Sequence, residues 1–547
     1  MQDLVIRGAL LLDGTGAPPR REDIAIHEGR ISQIGGISGA ARRSIDADGL
    51  ALMPGIIDNH THYDAQITWD AGLSPSPSLG VTTAVIGNCG FTIAPCRAAD
   101  RDLVMRNLTQ VEGMSLEVLR QGIRWDFESI PDYLDMLERR GAALNVAVFA
   151  GHSAIRTYVM GEAATERAAT EEEITRMQAV VRQAMDAGAV GFSTSTSPAH
   201  NGEGGKPMPS RLAEEAEIFS LVKSMAKGNR GVFMLTKGGH TSISMLERIA
   251  QQTGRPVVIA ALLHNSTNPD SVFKDLRAIG EANARGHRLV GAVSCCPLSM
   301  DFTLKSPYVF EGLQSWQPAL PLKGTAFVDL LKSRTFREGI RAELRSPAHF
   351  RLFNGEWDKV EVVESRHKEF EQKSVEALAS EAGKHPLDFL LDLAVEEGLE
   401  TVFNALLLNS DEEAVGRMLR DPASLVSLSD AGAHLTFFND AGYGLHLLGH
   451  WVRELGALTL EQAAHQLTGR PAAIFGIRER GLLKVGHHAD LLLFDPAKVG
   501  RGPRKRVFDL PGGHPRLSTE PVGVQGVWVN GRAPHDRAGR LLRDFAA

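Results

Sequence analysis

Eight short apolar segments, most of them followed by a helix-like stretch, constrain the fold of this 547-residue chain more than any other feature. Continuous apolar strands that alternate with helices are typical of a parallel sheet covered on both faces. A count of eight favours a closed (β/α)8 barrel of the TIM type over an open sheet. The predicted strands are 51–58, 82–88, 145–151, 189–195, 231–236, 256–263, 288–295 and 425–430.

The helix-like stretches carry their own start and stop signals. In "TEEEITRMQAVVRQAMDAG", Thr170 and Glu173 have the spacing of a capping box, and Gly188 stands where a helix would end. These signals support the prediction of an α/β fold.

The two ends of the chain have a different pattern from the middle. Residues 2–50 and 480–535 consist of short strand candidates separated by turn signals, for example "DLVIRGALLLDG" and "VGVQGVWVNGRAP". The simplest arrangement is one small, β-sandwich-like domain built from both ends. We therefore predict an end domain of residues 1–54 plus 478–547 and a barrel domain of residues 55–477.

A long insertion interrupts the barrel pattern between predicted strands seven and eight. It covers residues of about 297–424, far more than a typical loop, and contains several helix-like segments. Because such a connection leaves from the C-terminal face of a barrel, we predict that it forms a lid or wall over the mouth.

Composition excludes several classes of protein. The chain is 43% hydrophobic and 23% charged with a net charge of −7, and no sustained run of Lys and Arg extends beyond "RGPRKR". The longest apolar run, "PVVIAALL", is too short to cross a bilayer, and the N-terminal segment does not read as a signal peptide. We expect a cytoplasmic protein with a small-molecule substrate and no nucleic-acid or membrane partner; a homo-oligomer is possible. Four cysteines do not make a disulfide framework, which leaves Cys89 available as a thiolate.

Potential metal ligands follow three of the predicted strands. In "PGIIDNHTHYD", period two sends His60 and His62 to the same side of the sheet, and "GNCG" and "SDAGAH" place Cys89 and Asp430 at two other strand ends. The chemistry of such barrels is built at these ends. Two imidazoles, a thiolate and a carboxylate suit a divalent metal such as zinc. The metal would lower the pKa of a bound water to about 7, and Asp430 would move the proton to a leaving group.

Further polar residues at the strand ends are candidates for substrate contacts. His152 follows strand three in "AGHS", where it is either near the substrate or a satisfied core histidine. Arg156 and Arg211 could each bind a substrate carboxylate through a bidentate pair. We predict these three residues as the substrate-binding set.

Several motifs resemble the amidohydrolase superfamily of metal-dependent hydrolases. "PGIIDNHTHYD", "SDAGAH" and the two-part β domain carry the resemblance to the superfamily. "GNCGFTIAP", "AGHSAIR", "FREGIRAEL" and "EAGKHPLDFLL" are similar to the N-acyl-D-amino-acid deacylase, or D-aminoacylase, branch. The resemblance covers essentially the whole chain.

The resemblance implies a ligand set. His60, His62 and Cys89 would be ligands, Asp430 would ligate the metal or activate the water, and His264 in "ALLHN" would be the ligand from strand six. One or two ions, with zinc as the metal, are expected from this set.

The chain departs from that branch at strand five. The resemblance implies a ligand histidine there, whereas this sequence reads "MLTKGGH". Three alternatives are open: Lys237 replaces the histidine, for example as a carbamate; His240 reaches in; or the ligand is absent. Lys237 could also bind a substrate carboxylate as a point charge.

The leading functional hypothesis is the hydrolysis of an amide bond in an N-acyl amino acid, D-configured by the resemblance. Metal-bound hydroxide would attack the carbonyl, and Asp430 would act as the proton shuttle. A cyclic amide or a lactone is the alternative substrate, because the same nucleophile would attack either. A non-catalytic scaffold that kept the fold is the second alternative.

Overall fold

The computed structural model describes residues 1–111, 113–346 and 351–546, which have a mixed α/β fold. They divide into two compact units. The first comprises Met1–Leu262, Asp275–Cys295 and Gly416–Ala547, and the second comprises Leu263–Lys274 and Cys296–Val415. Both predicted site segments, around His60 and around Asp430, belong to the first unit.

The strands alternate with helices through most of the chain, as the sequence predicts. The strands are β1 Gln2–Leu11, β2 Arg20–His27, β3 Arg30–Ile34, β4 Ala41–Asp46, β5 Ala51–Pro54, β6 Ile56–Asp58, β7 Val81–Ile86, β8 Asn145–Gly151, β9 Gly191–Ser195, β10 Val232–Thr236, β11 Val257–Leu262, β12 Leu289–Val293, β13 Leu298–Phe302, β14 Val360–Glu364, β15 Val402–Leu408, β16 Ser424–Val426, β17 Leu491–Phe494, β18 Gly500–Arg501, β19 Lys505–Leu510, β20 His514–Ser518, β21 Pro521–Val522 and β22 Val524–Trp528.

The α-helices are mostly amphipathic connections between strands. They are α1 Arg101–Val111, α2 Leu116–Gly122, α3 Ile130–Arg140, α4 His152–Met160, α5 Glu171–Ala187, α6 Glu215–Ala226, α7 Ile243–Thr253, α8 Ser271–Ala284, α9 Tyr308–Glu311, α10 Gly324–Lys332, α11 Arg334–Arg345, α12 Val375–Glu381, α13 Pro386–Glu396, α14 Glu412–Arg420, α15 Tyr443–His446, α16 Leu460–Leu467 and α17 Gly469–Phe475. Helix α5 has the predicted capping box of Thr170 and Glu173 and ends at a left-handed Gly188.

A curled sheet of eight parallel strands forms the centre of the first unit. Its order is β16-β12-β11-β10-β9-β8-β7-β6, so the strands lie side by side in the order in which they occur along the chain. The two end strands also meet beyond their last residues: Asn59 Nδ2 donates to the Val426 carbonyl at 3.0 Å, and the His62 amide donates to the Ala431 carbonyl at 2.8 Å. Each of the eight predicted segments contributes one strand to this sheet, and the carboxyl ends of β6 and β16 lie side by side.

The first predicted strand is two strands in the structure. Ala51–Pro54 pairs within the sheet of the chain ends, and Ile56–Asp58 begins the eight-stranded sheet. Gly55 lies between them, where a Cβ would come 2.0 Å from the Thr82 side chain. The apolar run conceals this division because both strands are buried.

Strands from the two ends of the chain share one seven-stranded sheet. Its order is β22-β17-β5-β1-β2-β3, and β4 pairs with the other edge of β1. Apolar side chains from both ends, including Leu11, Leu52, Leu491 and Trp528, form one core cluster on it. The pairing of the two ends agrees with the sequence prediction; the boundaries of a separate, sandwich-like domain stay a prediction.

A buried polar network connects this end sheet to β8. Asp490 accepts a hydrogen bond from the Asn530 amide at 2.7 Å and another from Asn145 Nδ2 at 3.1 Å, and it forms an ion pair with Arg480. The side chains of Arg480 and Asp490 are each only 3% exposed. A buried charge that loses its partner destabilises a fold strongly, because its desolvation is no longer compensated.

We therefore expect Asp490→Ala to lower the free energy of unfolding by about 3–5 kcal/mol. Denaturant titration followed by tryptophan fluorescence measures this change. Asp48→Ala is the matched control, because Asp48 is 81% exposed in its pair with Arg21 and should change stability by less than about 0.5 kcal/mol. Equal effects of the two substitutions would contradict the assignment.

The second unit contains most of the predicted insertion. Strands β13, β15 and β14 form an antiparallel sheet in that order, and buried aromatic rings pack on it, with Phe302 and Phe403 stacked at 5.5 Å. Its role as a lid stays a prediction. Among the described residues, no helix combines the length and apolarity needed to cross a membrane.

Candidate metal centre

Three potential ligands converge at the carboxyl ends of β6 and β7. The nitrogen and sulfur ligand atoms of His60, His62 and Cys89 all lie within 4.8 Å of one another, and all three residues are buried. Cys89 Sγ is 3.4 Å from His60 Nε2 and 3.8 Å from His62 Nε2. The two-residue spacing after β6 therefore places both imidazoles on one side, as predicted.

Asp430 completes this cluster from the loop after β16. Its Oδ1 is 3.2 Å from His60 Nε2 and 3.6 Å from His62 Nε2, and its side chain is 22% exposed. Burial raises the pKa of the Asp430 carboxyl, but the charges of His60 and His62 outweigh burial and hold it well below its usual range. Asp430 is thus a carboxylate that reaches both the imidazoles and the solvent side of the site.

A main-chain hydrogen bond holds Asp430 against the segment that follows β6. The Asp430 amide donates to the His60 carbonyl at 3.2 Å, and the following turn passes over His62. Gly432 makes that turn with a φ of +94°, and a Cβ there would come 2.6 Å from the His62 carbonyl oxygen. Only glycine allows this close approach without displacement of the backbone.

Cys89 has the character of a thiolate in a strained backbone position. Its φ of 57° lies in the left-handed region, which costs a residue with a side chain about 1–3 kcal/mol and occurs mostly at functional sites. Burial raises the pKa of its thiol, but the charges and hydrogen bonds of His60 and His62 outweigh burial and lower the pKa to about 6. A deprotonated sulfur is the form that binds metals.

The spacing of these donors fits a zinc-sized ion. Ligand bonds of about 2.0–2.3 Å in a tetrahedron place the donor atoms about 3.3–3.8 Å apart. The distances from Cys89 Sγ and from Asp430 Oδ1 to the Nε2 atoms of His60 and His62 run from 3.2 to 3.8 Å. The mixture of nitrogen, sulfur and oxygen donors also suits this borderline metal.

A cavity of about 60 Å³ opens onto the donors. Besides the four donors, its wall contains two further histidines and mainly apolar side chains. These residues are Phe91, Val111, His200, Thr236, Ala261, Leu428, Ala433 and His434. A small, partly apolar cavity with convergent polar groups is typical of a small-molecule site.

Sequence reasoning did not select His200 and His434 as site residues. Burial and the charge of His434 lower the pKa of His200 to about 3, and burial lowers the pKa of His434 to about 4. Ser195 Oγ is 2.7 Å from His200 Nδ1. The signal for both was their position a few residues after strands four and eight.

Thr236 is the last residue of β10, and its side chain lines the cavity beside the donors. Lys237, the next residue, does not line the cavity. The Thr236 hydroxyl donates to Cys89 Sγ at 3.0 Å. Lys237 Nζ instead forms an ion pair with Asp275 Oδ2 at 3.0 Å, and His240 is exposed. Successive residues of a strand point to opposite faces, which explains why the two neighbours have different surroundings.

We expect Lys237→Ala to retain the bound metal, because the Lys237 ammonium is paired with Asp275 and not with a ligand. Metal content of the purified variant, measured by mass spectrometry, checks this. Loss of the metal would support the carbamate alternative. Asp275→Ala is the control, because this substitution removes the ion pair but keeps the lysine. Metal loss in Lys237→Ala alone would therefore be due to the lysine and not to the ion pair.

The structure places His264 in the second unit. Its main-chain amide donates to Asn409 Oδ1 at 2.7 Å, and its ring centroid is 6.5 Å from that of Phe273. Its role as the ligand from strand six stays a prediction. Ala261, in β11, is the residue of that strand that lines the cavity.

His152 and Arg156 lie in a buried ionic cluster on helix α4. His152 Nε2 is 2.8 Å from Glu217 Oε1, and Arg156 Nη1 donates to both carboxylate oxygens of Glu217 at 2.5 Å. The side chains of all three residues are at most 1% exposed. This cluster does not line the cavity, so the substrate-binding role of His152 and Arg156 stays a prediction that these contacts do not support.

Arg211 is closer to the cavity wall. Its Nη1 donates to the His200 carbonyl at 3.2 Å and to the Asn201 side chain, and its side chain is partly exposed. Desolvation lowers the pKa of the guanidinium. Of the three predicted substrate-binding residues, Arg211 is the one bonded to a residue of the cavity.

Known proteins resemble this chain in sequence and in fold. The sequence profile described as "Amidohydrolase family" matches residues 43–295 and 335–533. The chain is 30% identical to a D-aminoacylase of Alcaligenes xylosoxydans xylosoxydans, over 100% of this chain and 98% of the relative. It is also 30% identical to an N-acyl-D-aspartate deacylase of the same organism, over 98% of this chain and 92% of the relative.

Solved structures give the same result. A D-aminoacylase structure, described through "the binuclear metal center" with "one-metal activation and second-metal attenuation", has a TM-score of 0.68, 27% identity and full coverage of both chains. The N-acyl-D-glutamate deacylase of Bordetella bronchiseptica, in complex with zinc and a phosphonate inhibitor, has a TM-score of 0.68 and 26% identity, over 99% of this chain and 100% of that one.

The fold and the donor set define a metal-dependent hydrolase of the α/β class. The chain belongs to the amidohydrolase family and is an enzyme that acts on carbon–nitrogen bonds other than peptide bonds. The resemblance to the D-aminoacylase branch and the prediction of a divalent-metal cofactor are thereby confirmed.

Proposed function

We propose that this enzyme removes the acyl group from N-acyl-D-amino acids, with zinc held by His60, His62, Cys89 and Asp430. The observation that carries the proposal is the approach of the Asp430 carboxylate to within 3.2 and 3.6 Å of the two imidazoles, whose nitrogens are also 3.4 and 3.8 Å from Cys89 Sγ. The deacylases described above support the substrate class. A divalent metal supplies, when bound, an acidified water and polarisation of the amide carbonyl.

Asp430 moves the proton in this reaction. Its depressed pKa keeps it a carboxylate, so it accepts a proton from the attacking water. The same oxygen then returns the proton to the amide nitrogen, which leaves as a neutral amine. The partial exposure of Asp430 supports an exchange at the substrate side of the cluster.

The remaining residues of the cavity position the substrate. Phe91, Val111 and Leu428 present apolar surface to the acyl group or the side chain. Arg211, bonded to the His200 carbonyl, provides the cation for the amino-acid carboxylate. The bonds between the ends of β6 and β16 support closure of the eight strands into a (β/α)8 barrel that holds these groups at one rim.

A panel of N-acyl-D- and N-acyl-L-amino acids tests the proposal, with metal content measured on the same sample. We expect release of the free D-amino acid, loss of activity after treatment with a chelator, and recovery after addition of zinc. The panel includes a hydantoin and a lactone. Hydrolysis of either of these, without release of a D-amino acid, would overturn the deacylase assignment and favour the cyclic substrates.

A further inference from the structure

We infer that this chain holds one metal ion per active site and has no second ion, unlike the binuclear centre described for the related D-aminoacylase. This count is independent of the proposed substrate. Its kinetic consequence rests on the proposed function.

The donors lie on one side of the cavity. His60 and His62 follow β6, Cys89 follows β7 and Asp430 follows β16, and these three strand ends are neighbours at the meeting of β6 and β16. Among the described residues, the one group of three or more histidine, cysteine or carboxylate ligands that could hold an ion is His60, His62 and Cys89. These atoms, with Asp430 beside them, surround one position for an ion.

The opposite wall, from β10 and β11, offers no nitrogen or sulfur donor. The side chains that it contributes to the cavity are Thr236 and Ala261. The register of the parallel pair puts Thr236 beside Ala260, so the two cavity residues lie at adjacent strand ends. A methyl group and a hydroxyl group cannot replace the imidazoles that a second zinc would require.

Thr236 also contacts the Cys89 sulfur from the side of β10. Its hydroxyl donates to Cys89 Sγ at 3.0 Å. A thiolate that bridges two ions needs a lone pair directed at each of them. Here the group that approaches the sulfur from β10 is a hydroxyl that donates a hydrogen bond, which leaves no strand-five ligand to share a second ion with Cys89.

The two additional histidines of the cavity do not form a second site. The Phe91 ring packs against both His62 and His200, with its centroid 6.1 Å from His62 and 4.9 Å from His200, and Ser195 is bonded to His200 Nδ1. His434 packs on Phe437 and Phe438 with ring separations of 5.3 and 6.0 Å. Among the described residues, neither His200 nor His434 belongs to a group of three ligands whose donor atoms lie within 4.8 Å of one another, and zinc in proteins takes at least three such ligands.

The consequence concerns regulation by the metal itself. The related D-aminoacylase is described by activation with one metal and attenuation by a second. With one position, excess zinc does not attenuate this enzyme through a second site.

Metal stoichiometry tests the inference directly. The full-length protein is stripped with a chelator, titrated with Zn²⁺ alone in a calorimeter, and its metal content is measured after desalting. We expect one tight equivalent per chain. Two tight equivalents, or none, would overturn the inference whether or not any deacylase activity is found.

Cobalt substitution and three variants test the number of metal ions per chain independently. The electron paramagnetic resonance signal of the Co²⁺ protein should be that of an isolated ion, and spin coupling between two ions would overturn the inference. His264→Ala and Lys237→Ala should each leave one equivalent, whereas His60→Ala should leave none. A fall in metal content for His264→Ala would show a ligand outside the assigned set and would also overturn it.

Discussion

Replacement of Asp430 by Asn should lower kcat by about 10²–10⁴-fold, the range for loss of a general acid–base group. Asparagine keeps the size of the side chain but cannot accept a proton from the attacking water. The Asp430 oxygen lies within 3.2 and 3.6 Å of His60 and His62, so the substitution acts at the reacting centre and leaves the buried core unchanged. Steady-state kinetics on an N-acyl-D-amino acid measures the effect.

Metal content of the same sample separates the two roles of Asp430. We expect Asp430→Asn to retain most of its zinc, because His60, His62 and Cys89 still offer three donors within 4.8 Å. Asp186→Asn is the control, because Asp186 is exposed on helix α5 and should behave as the wild type. A normal kcat for Asp430→Asn would show that another group carries the proton.

Replacement of Cys89 by Ala should remove most of the bound metal. The thiolate is the softest of the donors, and its loss leaves two imidazoles and one carboxylate. Metal affinity should fall by more than the about 10–100-fold that follows loss of a hydrogen-bond partner of a ligand. Zinc content after dialysis and zinc titration of the stripped protein measure the change.

The chain contains a matched control for this experiment. Cys96 is also buried, but it does not belong to the group of donor atoms formed by His60, His62 and Cys89, and burial raises the pKa of its thiol to about 12. Cys96→Ala should therefore retain one equivalent of zinc. Circular dichroism should show the same fold for both variants. Equal metal content in the two variants would contradict the role of Cys89.

The order of the strands could be predicted because each is a continuous apolar run bounded by turn signals. Period two also placed His60 and His62 together, and the predicted helix after Thr170 is present as α5. The division at Gly55 could not be predicted, because β5 and β6 are equally apolar and differ only in the sheet that each joins. That choice is made by the chain end around Leu491, far away in the sequence.

The cavity residues that escaped prediction are those without a strong pattern of their own. Thr236 and Ala261 are ordinary strand residues, and only the register of β10 and β11 brings them to the cavity. Lys237 looked functional beside two glycines, yet its ammonium pairs with Asp275. The burial of Arg156 against Glu217 likewise depends on a contact between helices α4 and α6, which the sequence of either helix does not reveal.

The pairing of β17 with β5 joins two segments that the ribosome synthesises at widely separated times. Pro54 pairs with Leu491, so about 440 residues are synthesised before β5 meets its partner. At about 5–20 residues per second this takes roughly 20–90 s. Throughout that interval the nascent chain carries β5 with an unpaired edge, a surface that recruits other strands. Until Leu491–Phe494 leaves the exit tunnel, that edge of β5 is without its native partner.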